Sequence, residues 1–455
     1  MSVPSPKEIR PPFPDGPFLV VGLARSGVAA ARLLAGRGED VTGVDSGNPD
    51  AAAGLRSAGV EVFLDSDGLA QLDGVRTVVK SPGVPREAPV IAAALERGIE
   101  VLGELELAWR AIPNRFLAVT GTNGKTTTAE LLGHVYRGAG EPVAVAGNVG
   151  RPLSELAGEV EPDATVVCEC SSFQLEDTIH FAPECGVFLN LAPDHLDRHL
   201  DLESYLAAKL RIFANQGNDD VAVYNADDPA LSGVDLGGCA RRVAFCTGAG
   251  PDCEVALAEG TIFYDGEPLI AVDELGLFGA HNAANAMAAA AAALSMGIDR
   301  EAVCEGLRSF AGVPHRLELV AEIDGVRFVN DSKATNVASA TVGIGAFEGG
   351  VHAILGGSEK GEPYAPLLDP IREQCVACYL TGASADRLAE ELAPALAAGV
   401  ELHRCESLDD AVARAAAAAR AGEVVLLSPA CASFDAFENF ERRGDRFREI
   451  VEGLR

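Results

Sequence analysis

Lys125 and Thr126 begin a segment rich in Ala and Leu, directly after a turn that contains Gly121 and Gly124. An apolar run at 115–119 precedes the turn, so the pattern predicts a strand, a tight turn and a helix over 126–135. In such a turn the backbone N–H groups and the helix dipole attract phosphate oxygens, the lysine reaches the outer phosphates, and the threonine hydroxyl binds Mg²⁺. The loop is a shortened variant of the general phosphate-binding pattern, because Val119 stands where that pattern has its first Gly. The residues that we expect at the phosphates are Gly121, Thr122, Asn123, Gly124, Lys125, Thr126 and Thr127.

Two further groups in the central part of the sequence are candidates for a metal beside Thr126. Glu169 lies within an apolar, strand-like run at 165–170, and a buried carboxylate needs a partner. We favour a bound Mg²⁺ over a structural salt bridge as that partner. Asp194 and His195 follow another strand-like run at 187–191, and we expect this loop to face the phosphates and the metal.

His195 and His199 have the four-residue spacing of zinc-binding protease helices, but the similarity ends there. Leu196 replaces the Glu that such a site requires, and the segment follows a predicted strand as a loop. Lys209 lies among apolar residues of a predicted helix at 205–213, where its side chain either extends toward solvent or takes part in chemistry.

The N-terminal part of the chain begins like a dinucleotide-binding fold. A strand at 18–22 leads through Gly22-x-Ala24-x-x-Gly27 into a helix at 28–36, and Asp45 ends the next strand. Ala24 replaces the Gly that favours close approach of a pyrophosphate, which counts against an NAD-dependent oxidoreductase. Strands and helices alternate, so we predict an open α/β sheet with its ligand at the strand C-terminal ends. The residues at those ends are Ser26, Asp45, Ser81 and Gly83.

A third α/β region follows. Residues 317–323 and 326–330 form a predicted hairpin at Asp324-Gly325, and later strands alternate with helices such as 385–397. We therefore predict three α/β domains in the 455 residues. These are an N-terminal Rossmann-like open sheet at 1–113, a central P-loop ATPase-like domain at 114–312, and a C-terminal Rossmann-like domain at 313–455.

The composition restricts the partners and the compartment. The chain has 36 Lys and Arg against 67 Asp and Glu, and a net charge of −31 repels nucleic acid and anionic membranes. Residues 1–17 lack the apolar core of a signal peptide, and no run is apolar enough for a membrane span. We expect a soluble, cytoplasmic monomer whose 11 cysteines are buried, reduced thiols, with the lone C-x-x-C of Cys375 and Cys378 inside a strand.

Taken together, a series of motifs resembles the Mur ligases of peptidoglycan synthesis, in the family's order and along nearly the whole chain. The motifs are 120–128, Glu169-Cys-Ser-Ser-Phe-Gln-Leu-Glu176, Asp194-His195, Ala208-Lys-Leu-Arg211, His281-Asn-Ala-Ala-Asn285, Pro314-His-Arg316, 330–336 and 428–435. Within the family, Ser-Ser-Phe-Gln-Leu-Glu and Asn-Asp-Ser-Lys-Ala-Thr-Asn are similar to the members that add D-glutamate. Ala24 fits this resemblance, because the first domain of those enzymes holds a UDP-sugar.

The resemblance implies an ATP-driven amide synthesis. The carboxylate of UDP-N-acetylmuramoyl-L-alanine would become an acyl phosphate, from which D-glutamate displaces phosphate, with ADP as the other product. The resemblance also implies two Mg²⁺ ions and a carbamate, formed from CO₂ on Lys209, as an anionic metal ligand. The nearest alternative is a Mur ligase that adds another amino acid. A non-catalytic nucleotide-binding regulator would have no reason to keep Lys209, Lys333 and Lys360.

The resemblance also implies roles for particular residues. The metal ligands would be Thr126, Glu169, His195 and Lys209, and the catalytic residues Lys125, Lys209, His195 and Lys333. The nucleotide contacts outside the loop would be Asn285, Arg316 and Asp331. D-glutamate would be held by Thr335, Lys360, Ser433 and Phe440. The uridine and diphosphate end would be held by Ser26, Asp45, Ser81, Gly83 and Asn148.

Overall fold

The computed structural model describes residues 10–247, 253–277, 279–359 and 361–455, with only the backbone of Leu196, Asp197 and Ala280. The predicted substrate residue Lys360 therefore lies outside the described residues. The chain divides into two compact units. One comprises the chain up to Leu275 together with Asn282–Phe310, and the other comprises Gly276–His281 and Ala311–Arg455.

The first sheet of the first unit is fully parallel, with the order β3-β2-β1-β4-β5. Its strands are β1 (Phe18–Val21), β2 (Val41–Val44), β3 (Glu61–Phe63), β4 (Thr77–Lys80) and β5 (Glu100–Gly103), and its helices are α1 (Arg25–Gly36), α2 (Pro89–Glu96) and α3 (Glu104–Ala111). The strand order reverses between β1 and β4, and open α/β sheets bind ligands at such a reversal. This confirms the Rossmann-like open sheet.

The second sheet of the same unit has the order β14-β13-β12-β11-β10-β9-β6-β8-β7. Its strands are β6 (Phe116–Thr120), β7 (Val143–Gly147), β8 (Thr165–Glu169), β9 (Cys185–Phe188), β10 (Val221–Asn225), β11 (Arg241–Thr247), β12 (Val255–Ala258), β13 (Thr261–Tyr264) and β14 (Glu267–Ala271). Its helices are α4 (Lys125–Gly138), α5 (Ser172–Leu175), α6 (Leu196–His199), α7 (Leu202–Ala214), α8 (Ala280–Ser295) and α9 (Arg300–Ser309). The strand β6 lies between β8 and β9 and is parallel to both, so the loops that follow these three strands meet at one edge.

The sheet of the second unit has the order β15-β16-β20-β17-β18-β19. Its strands are β15 (Glu318–Ile323), β16 (Val326–Asn330), β17 (Val351–Gly356), β18 (Cys375–Thr381), β19 (Glu401–Arg404) and β20 (Val424–Leu427), and its helices are α10 (Val337–Ile344), α11 (Leu368–Gln374), α12 (Ala385–Glu391), α13 (Leu408–Ala418) and α14 (Phe440–Glu452). The β15–β16 hairpin is confirmed, with its turn at Asp324 (φ 50°) and Gly325 (φ 77°).

Three predicted features differ in the structure. The helix expected at 385–397 ends at Glu391 and resumes as a 3₁₀ helix, Ala393–Ala398, because Pro394 cannot continue an α-helix. The loop expected after His195 contains the single-turn helix α6. The expectation that all cysteines are reduced is wrong for one pair, since Cys246 and Cys253 form a disulfide, whereas nine others are free and mostly buried.

None of the helices in the described part of the chain has the length and apolarity that a membrane crossing requires. The domain boundaries at 113/114 and 312/313 stay predictions.

We predict that Gly27→Ala destabilises the first sheet, because a Cβ on Gly27 would lie 1.8 Å from the Gly22 carbonyl oxygen. Backbone would have to shift, at a cost of about 1–3 kcal/mol. Gly36→Ala in the same helix is the matched control, since a Cβ there meets nothing within 4 Å. Differential scanning calorimetry should show a lower Tm for Gly27→Ala alone, and equal Tm values for the two variants would contradict the close packing of α1 on β1.

Candidate active site

The loop between β6 and α4 is held by Asn190, which lies two residues after β9. Thr122 N–H donates to the Asn190 carbonyl over 2.9 Å, and Asn123 N–H donates to Asn190 Oδ1 over 2.9 Å. Asn190 Nδ2 donates in return to the Asn123 carbonyl at 3.2 Å. In this structure the amides of Thr122 and Asn123 therefore bind Asn190, and the contact of these two residues with phosphate stays a prediction. The amides at the N-terminus of α4 remain the candidate donors for phosphate oxygens.

The carbonyl of Gly121 accepts hydrogen bonds from two lysine side chains. Lys209 Nζ lies 2.7 Å from this oxygen and Lys125 Nζ lies 3.0 Å from it, while Lys125 also donates to the Thr122 carbonyl. Lys209 is only 1% exposed, which excludes the alternative that it extends toward solvent. Burial and the neighbouring charge of Lys125 lower the pKa of Lys209 to about 6. At neutral pH most of the Lys209 amine is therefore uncharged.

The predicted metal ligands Thr126 and Glu169 are in direct contact. Thr126 Oγ1 donates to Glu169 Oε2 over 2.7 Å, and both side chains are buried. Asn148 Nδ2 donates to Glu169 Oε1 over 2.9 Å. Asn148, expected at the diphosphate of the substrate, thus orients the carboxylate of Glu169 in this structure.

These oxygens fit a hard cation better than a zinc-type site. Within the described residues, no three His, Cys, Asp or Glu side chains gather as a metal-binding group. A cation at Glu169 would take its other ligands from the Thr126 hydroxyl, water and substrate oxygens, which is how proteins commonly hold Mg²⁺ beside phosphates.

His195 and Lys209 both lie beside the ring of Tyr205. The ring centroids of His195 and Tyr205 are 6.4 Å apart, and Lys209 Nζ is 4.5 Å from the Tyr205 centroid. The side chain of His195 is 49% exposed and its Nε2 lies 3.4 Å from Asp194 Oδ2. Both His195 and His199 contact the rings of Phe173 and Tyr205, but His199 is buried and its Nε2 is 2.9 Å from Ser172 Oγ.

Asn285 of α8 lies against the same loop. A Cβ on Gly124 would be 2.2 Å from Asn285 Oδ1, so only glycine fits at this point of the turn, where φ is 83°. The amide of Asn285 donates to Asn282 Oδ1 over 3.1 Å, which fixes its orientation. The structure thus places Asn285 beside the loop that the sequence assigns to the nucleotide.

The residues expected at the UDP-sugar gather at the C-terminal edge of the first sheet. A Cβ on Gly22 would lie 2.9 Å from Ser81 Cβ, so the loops after β1 and β4 touch. The carboxylate of Asp45 accepts from the N–H of Leu23 at 2.6 Å and of Gly47 at 2.8 Å. The carboxylate of Asp45 therefore supports the turn after β1. This is the carboxylate that was expected to contact the substrate. Ser26 is half-buried and Gly83 is exposed at the same edge.

In the second unit the three loops expected to hold D-glutamate and nucleotide follow neighbouring parallel strands, β16, β20 and β17. Arg443 of α14 is only 4% exposed and ties these loops together. Its guanidinium donates to Ser332 Oγ (3.0 Å), Ser332 O (2.9 Å), Cys431 O (3.1 Å), Ala432 O (3.2 Å) and Gly356 O (3.5 Å). Burial lowers the pKa of Arg443 to about 10, so it stays charged at neutral pH.

The remaining predicted residues of the second unit fall in two groups. Lys333 Nζ lies 6.0 Å from the ring centroid of Phe440, and Ser433 is buried in the loop that Arg443 holds. Asp331 is directed inward: its carboxylate accepts from Ser428 Oγ at 2.7 Å and from Leu317 N–H at 3.3 Å. Burial raises the pKa of Asp331 to about 7, despite these bonds and the nearby Arg316. Thr335, half-buried, lies in the same loop as Lys333.

Three family models match the chain: the N-terminal domain of the MurD-like Mur ligases at 17–103, the Mur ligase middle domain at 119–293, and the glutamate ligase domain of Mur ligases at 315–431. The chain is 43% identical over 446 residues to the UDP-N-acetylmuramoylalanine--D-glutamate ligase of Pelotomaculum thermopropionicum, covering 96% of this chain and 97% of the relative. The chain belongs to the Mur ligase family.

Another relative and a solved structure agree with this assignment. The Mur ligase is 42% identical over 446 residues to the enzyme of the same name from Acidobacterium capsulatum, with 95% of each chain covered. The crystal structure of UDP-N-acetylmuramate-alanine ligase from Thermotoga maritima superposes with a TM-score of 0.59 at 21% identity, covering 96% of this chain and 99% of that one. At that identity the superposition supports the fold alone.

Several residues that build the site of this Mur ligase were missed by sequence reasoning. Asn190, Tyr205 and Arg443 contact predicted site residues or their backbone. Asn190 is a polar residue near the end of the strand-like run 187–191, close to Asp194, so its position was a usable signal. Tyr205 and Arg443 lie on helices among residues of similar type, and the sequence carries no sign that they face the site.

We predict that Arg443→Met strongly destabilises the second unit, because buried carbonyls lose their donor. The free energy of unfolding should fall by about 3 kcal/mol, and the KM for the amino-acid substrate should rise as the loops separate. Calorimetry and initial rates measure both effects. Arg442→Met, on the exposed side of the same helix, is the control. Equal unfolding free energies and equal KM values for the two variants would refute the proposed role of Arg443 in holding the three loops.

Proposed function

We propose that this Mur ligase joins D-glutamate to UDP-N-acetylmuramoyl-L-alanine, using ATP and releasing ADP and phosphate. The observation that carries the proposal is the cluster of Lys125, Thr126 and Glu169 on a strand–loop–helix unit. The relatives of about 40% identity support the substrates, because their names specify UDP-N-acetylmuramoylalanine and D-glutamate. A ligase for a different amino acid is the remaining alternative.

The main obstacle to this reaction is electrostatic. A substrate carboxylate oxygen attacks the γ-phosphorus of ATP and ADP leaves, so two anions must approach in a chain with a net charge of −31. Lys125 and the N-terminus of α4 supply positive charge at the phosphates in this proposal. Mg²⁺ beside Thr126 and Glu169 would neutralise further charge as the acyl phosphate forms. The D-glutamate amine then attacks the acyl carbon, phosphate leaves, and the amine loses a proton.

The remaining residues take the roles that the family pattern suggests. We propose that Asn285 and Arg316 contact the nucleotide, and that Asp331 holds the chain at Leu317, next to Arg316. D-glutamate is proposed to bind Thr335, Ser433 and Phe440 near Lys333, and Lys360, outside the described residues, completes that set. Ser26, Asp45, Ser81 and Gly83 form the proposed UDP-sugar edge, and Asn148 orients Glu169. Cytoplasmic location and a monomeric state stay predictions.

We further propose that Lys209 carries a carbamate. Its uncharged amine adds CO₂ and loses a proton, which turns a neutral group into an anionic oxygen ligand near His195. Two observations support this: the buried Lys209 donates to the Gly121 carbonyl rather than to a carboxylate, and it shares that carbonyl with Lys125. An uncharged amine is the form that reacts with CO₂, and the lowered pKa of Lys209 supplies it.

The proposed substrate specificity predicts which amino acid drives phosphate release. With ATP, Mg²⁺ and UDP-N-acetylmuramoyl-L-alanine present, D-glutamate should stimulate phosphate release, whereas L-alanine and diaminopimelate should leave it at background. A pocket whose polar groups pair with a substrate carboxylate selects strongly against an amino acid that leaves those pocket groups unpaired. The expected difference in kcat/KM is on the order of 10⁴-fold. Stimulation by diaminopimelate in place of D-glutamate would establish the alternative ligase.

The carbamate predicts a particular pattern of loss and rescue. Lys209→Ala should reduce kcat by at least about 10²-fold, since a metal ligand is removed, and acetate should restore part of it by supplying a carboxylate. Wild-type protein in ¹³C-labelled bicarbonate should show a carbamate signal that Lys209→Ala lacks. The signal should weaken as the pH falls through about 6, where the Lys209 amine becomes protonated. Absence of the signal at neutral pH would refute the carbamate.

A further inference from the structure

Lysine is rare in this chain: only six of the 36 Lys and Arg residues are lysines. Lys7 and Lys360 lie outside the described residues, and Lys125, Lys209 and Lys333 belong to the proposed reaction centre. Lys80 is the remaining lysine, and the proposed function gives it no role. Its side chain is 0% exposed, at the end of β4. Burying an ammonium group is unfavourable unless it is paired and hydrogen-bonded, so the buried Lys80 must have compensating partners.

The side-chain ammonium of Lys80 binds the turn Ser81–Val84, which directly follows Lys80 in the chain. Lys80 Nζ donates to the Val84 carbonyl over 2.7 Å, and Val84 N–H donates to the Ser81 carbonyl over 2.9 Å. The turn Ser81–Val84 contains Ser81 and Gly83 of the proposed UDP-sugar edge. It also packs against the loop after β1, since a Cβ on Gly22 would lie 2.7 Å from Val84 Cγ2.

Two acids that follow α5 anchor this ammonium to the second sheet. Lys80 Nζ forms an ion pair with Asp177 Oδ2 at 2.6 Å and lies 4.0 Å from Glu176 Oε1. Asp177 is 5% exposed, and burial raises its pKa while the charge of Lys80 opposes that rise. A compact ammonium with three donors suits this crowded set of acceptors better than the planar guanidinium that the chain uses elsewhere.

Arg198 holds the same turn from the other side. Its guanidinium donates to the carbonyls of Val84 at 2.9 Å and Pro82 at 3.4 Å, and it pairs with Glu176 at 3.7 Å. Arg198 N–H donates to the His195 carbonyl over 3.0 Å. The turn Ser81–Val84 is thus connected, through Glu176 and Arg198, to the loop of the proposed metal ligand His195.

We propose that Lys80 is a positioning residue for the sugar-nucleotide substrate. With Asp177 it fixes the turn Ser81–Val84 between the two sheets of the first unit, so that Ser81 and Gly83 present one arrangement to the UDP-sugar. This inference rests on the proposed function for the identity of the substrate. The competing explanation is an ion pair that contributes to stability alone.

Lys80→Met tests the inference, because it removes the charge and keeps most of the apolar stem. The KM for UDP-N-acetylmuramoyl-L-alanine should rise about tenfold or more, and its Kd by calorimetry should rise in parallel, while the KM values for ATP and D-glutamate stay within about twofold. The matched control is Arg110→Met, which breaks another buried pair of the same unit, with Arg110 Nε 2.7 Å from Glu106 Oε1. That control should lower the Tm and leave the KM for the UDP-substrate unchanged.

A second variant keeps the test valid if Lys80→Met folds poorly. Lys80→Met/Asp177→Asn removes both buried charges and should regain Tm, yet the raised Kd should persist, because the Val84 carbonyl has lost the Lys80 donor and keeps only that of Arg198. A wild-type Kd in either folded variant overturns the positioning role. Failure of the proposed function has a different signature: wild-type protein that binds the UDP-substrate but shows no phosphate release with D-glutamate. Wild-type protein that does not bind the UDP-substrate overturns both proposals.

Discussion

The hydrogen bonds that Lys125 and Lys209 both make to the Gly121 carbonyl are the interaction around which the site is arranged. Two ammonium groups on one buried oxygen repel each other, and burial strengthens that repulsion because little water screens it. The arrangement is favourable only if one amine is uncharged or anions are brought to it. The overall field of a chain with a net charge of −31 repels anions, so positive charge must be concentrated wherever anions are to bind.

The order of the parallel strands decides which side chains come together at each site. The strand β6 lies between β8 and β9, so Lys125, Glu169 and Asn190 reach one edge although they are far apart in the sequence. In the second unit, β20 lies between β16 and β17, which places the loops of Asp331, Ser433 and Gly356 side by side. A parallel sheet always presents the ends of its strands at the same edge, so strand order alone assembles each set of loops.

Much of this could be predicted from the sequence, because alternating apolar runs, glycines and polar strand ends are local signals. The loop and helix around Lys125 and the hairpin at Asp324-Gly325 were anticipated on that basis. Glu169 was expected near Thr126 through a shared metal ion, and the structure joins the two side chains by a direct hydrogen bond. The direction of a polar side chain is a different matter. Asp45 and Asp331 were expected to face ligands, yet their carboxylates accept backbone or hydroxyl donors inside the fold. The disulfide of Cys246 and Cys253 joins the end of β11 to the chain just before β12, and no local pattern specifies that pairing.

The side chains that sequence reasoning missed have one property in common: most of them bind main-chain atoms. Asn190 binds the amide and carbonyl of Asn123, Lys80 binds the Val84 carbonyl, and Arg443 binds the carbonyls of three loops. Every residue has a carbonyl, so the acceptor leaves no trace in the sequence, and the donor resembles any other polar residue on a helix or strand. Such bonds fix a loop whatever side chains it carries. The substrate-facing side chains of these loops are therefore not what holds the loops in place.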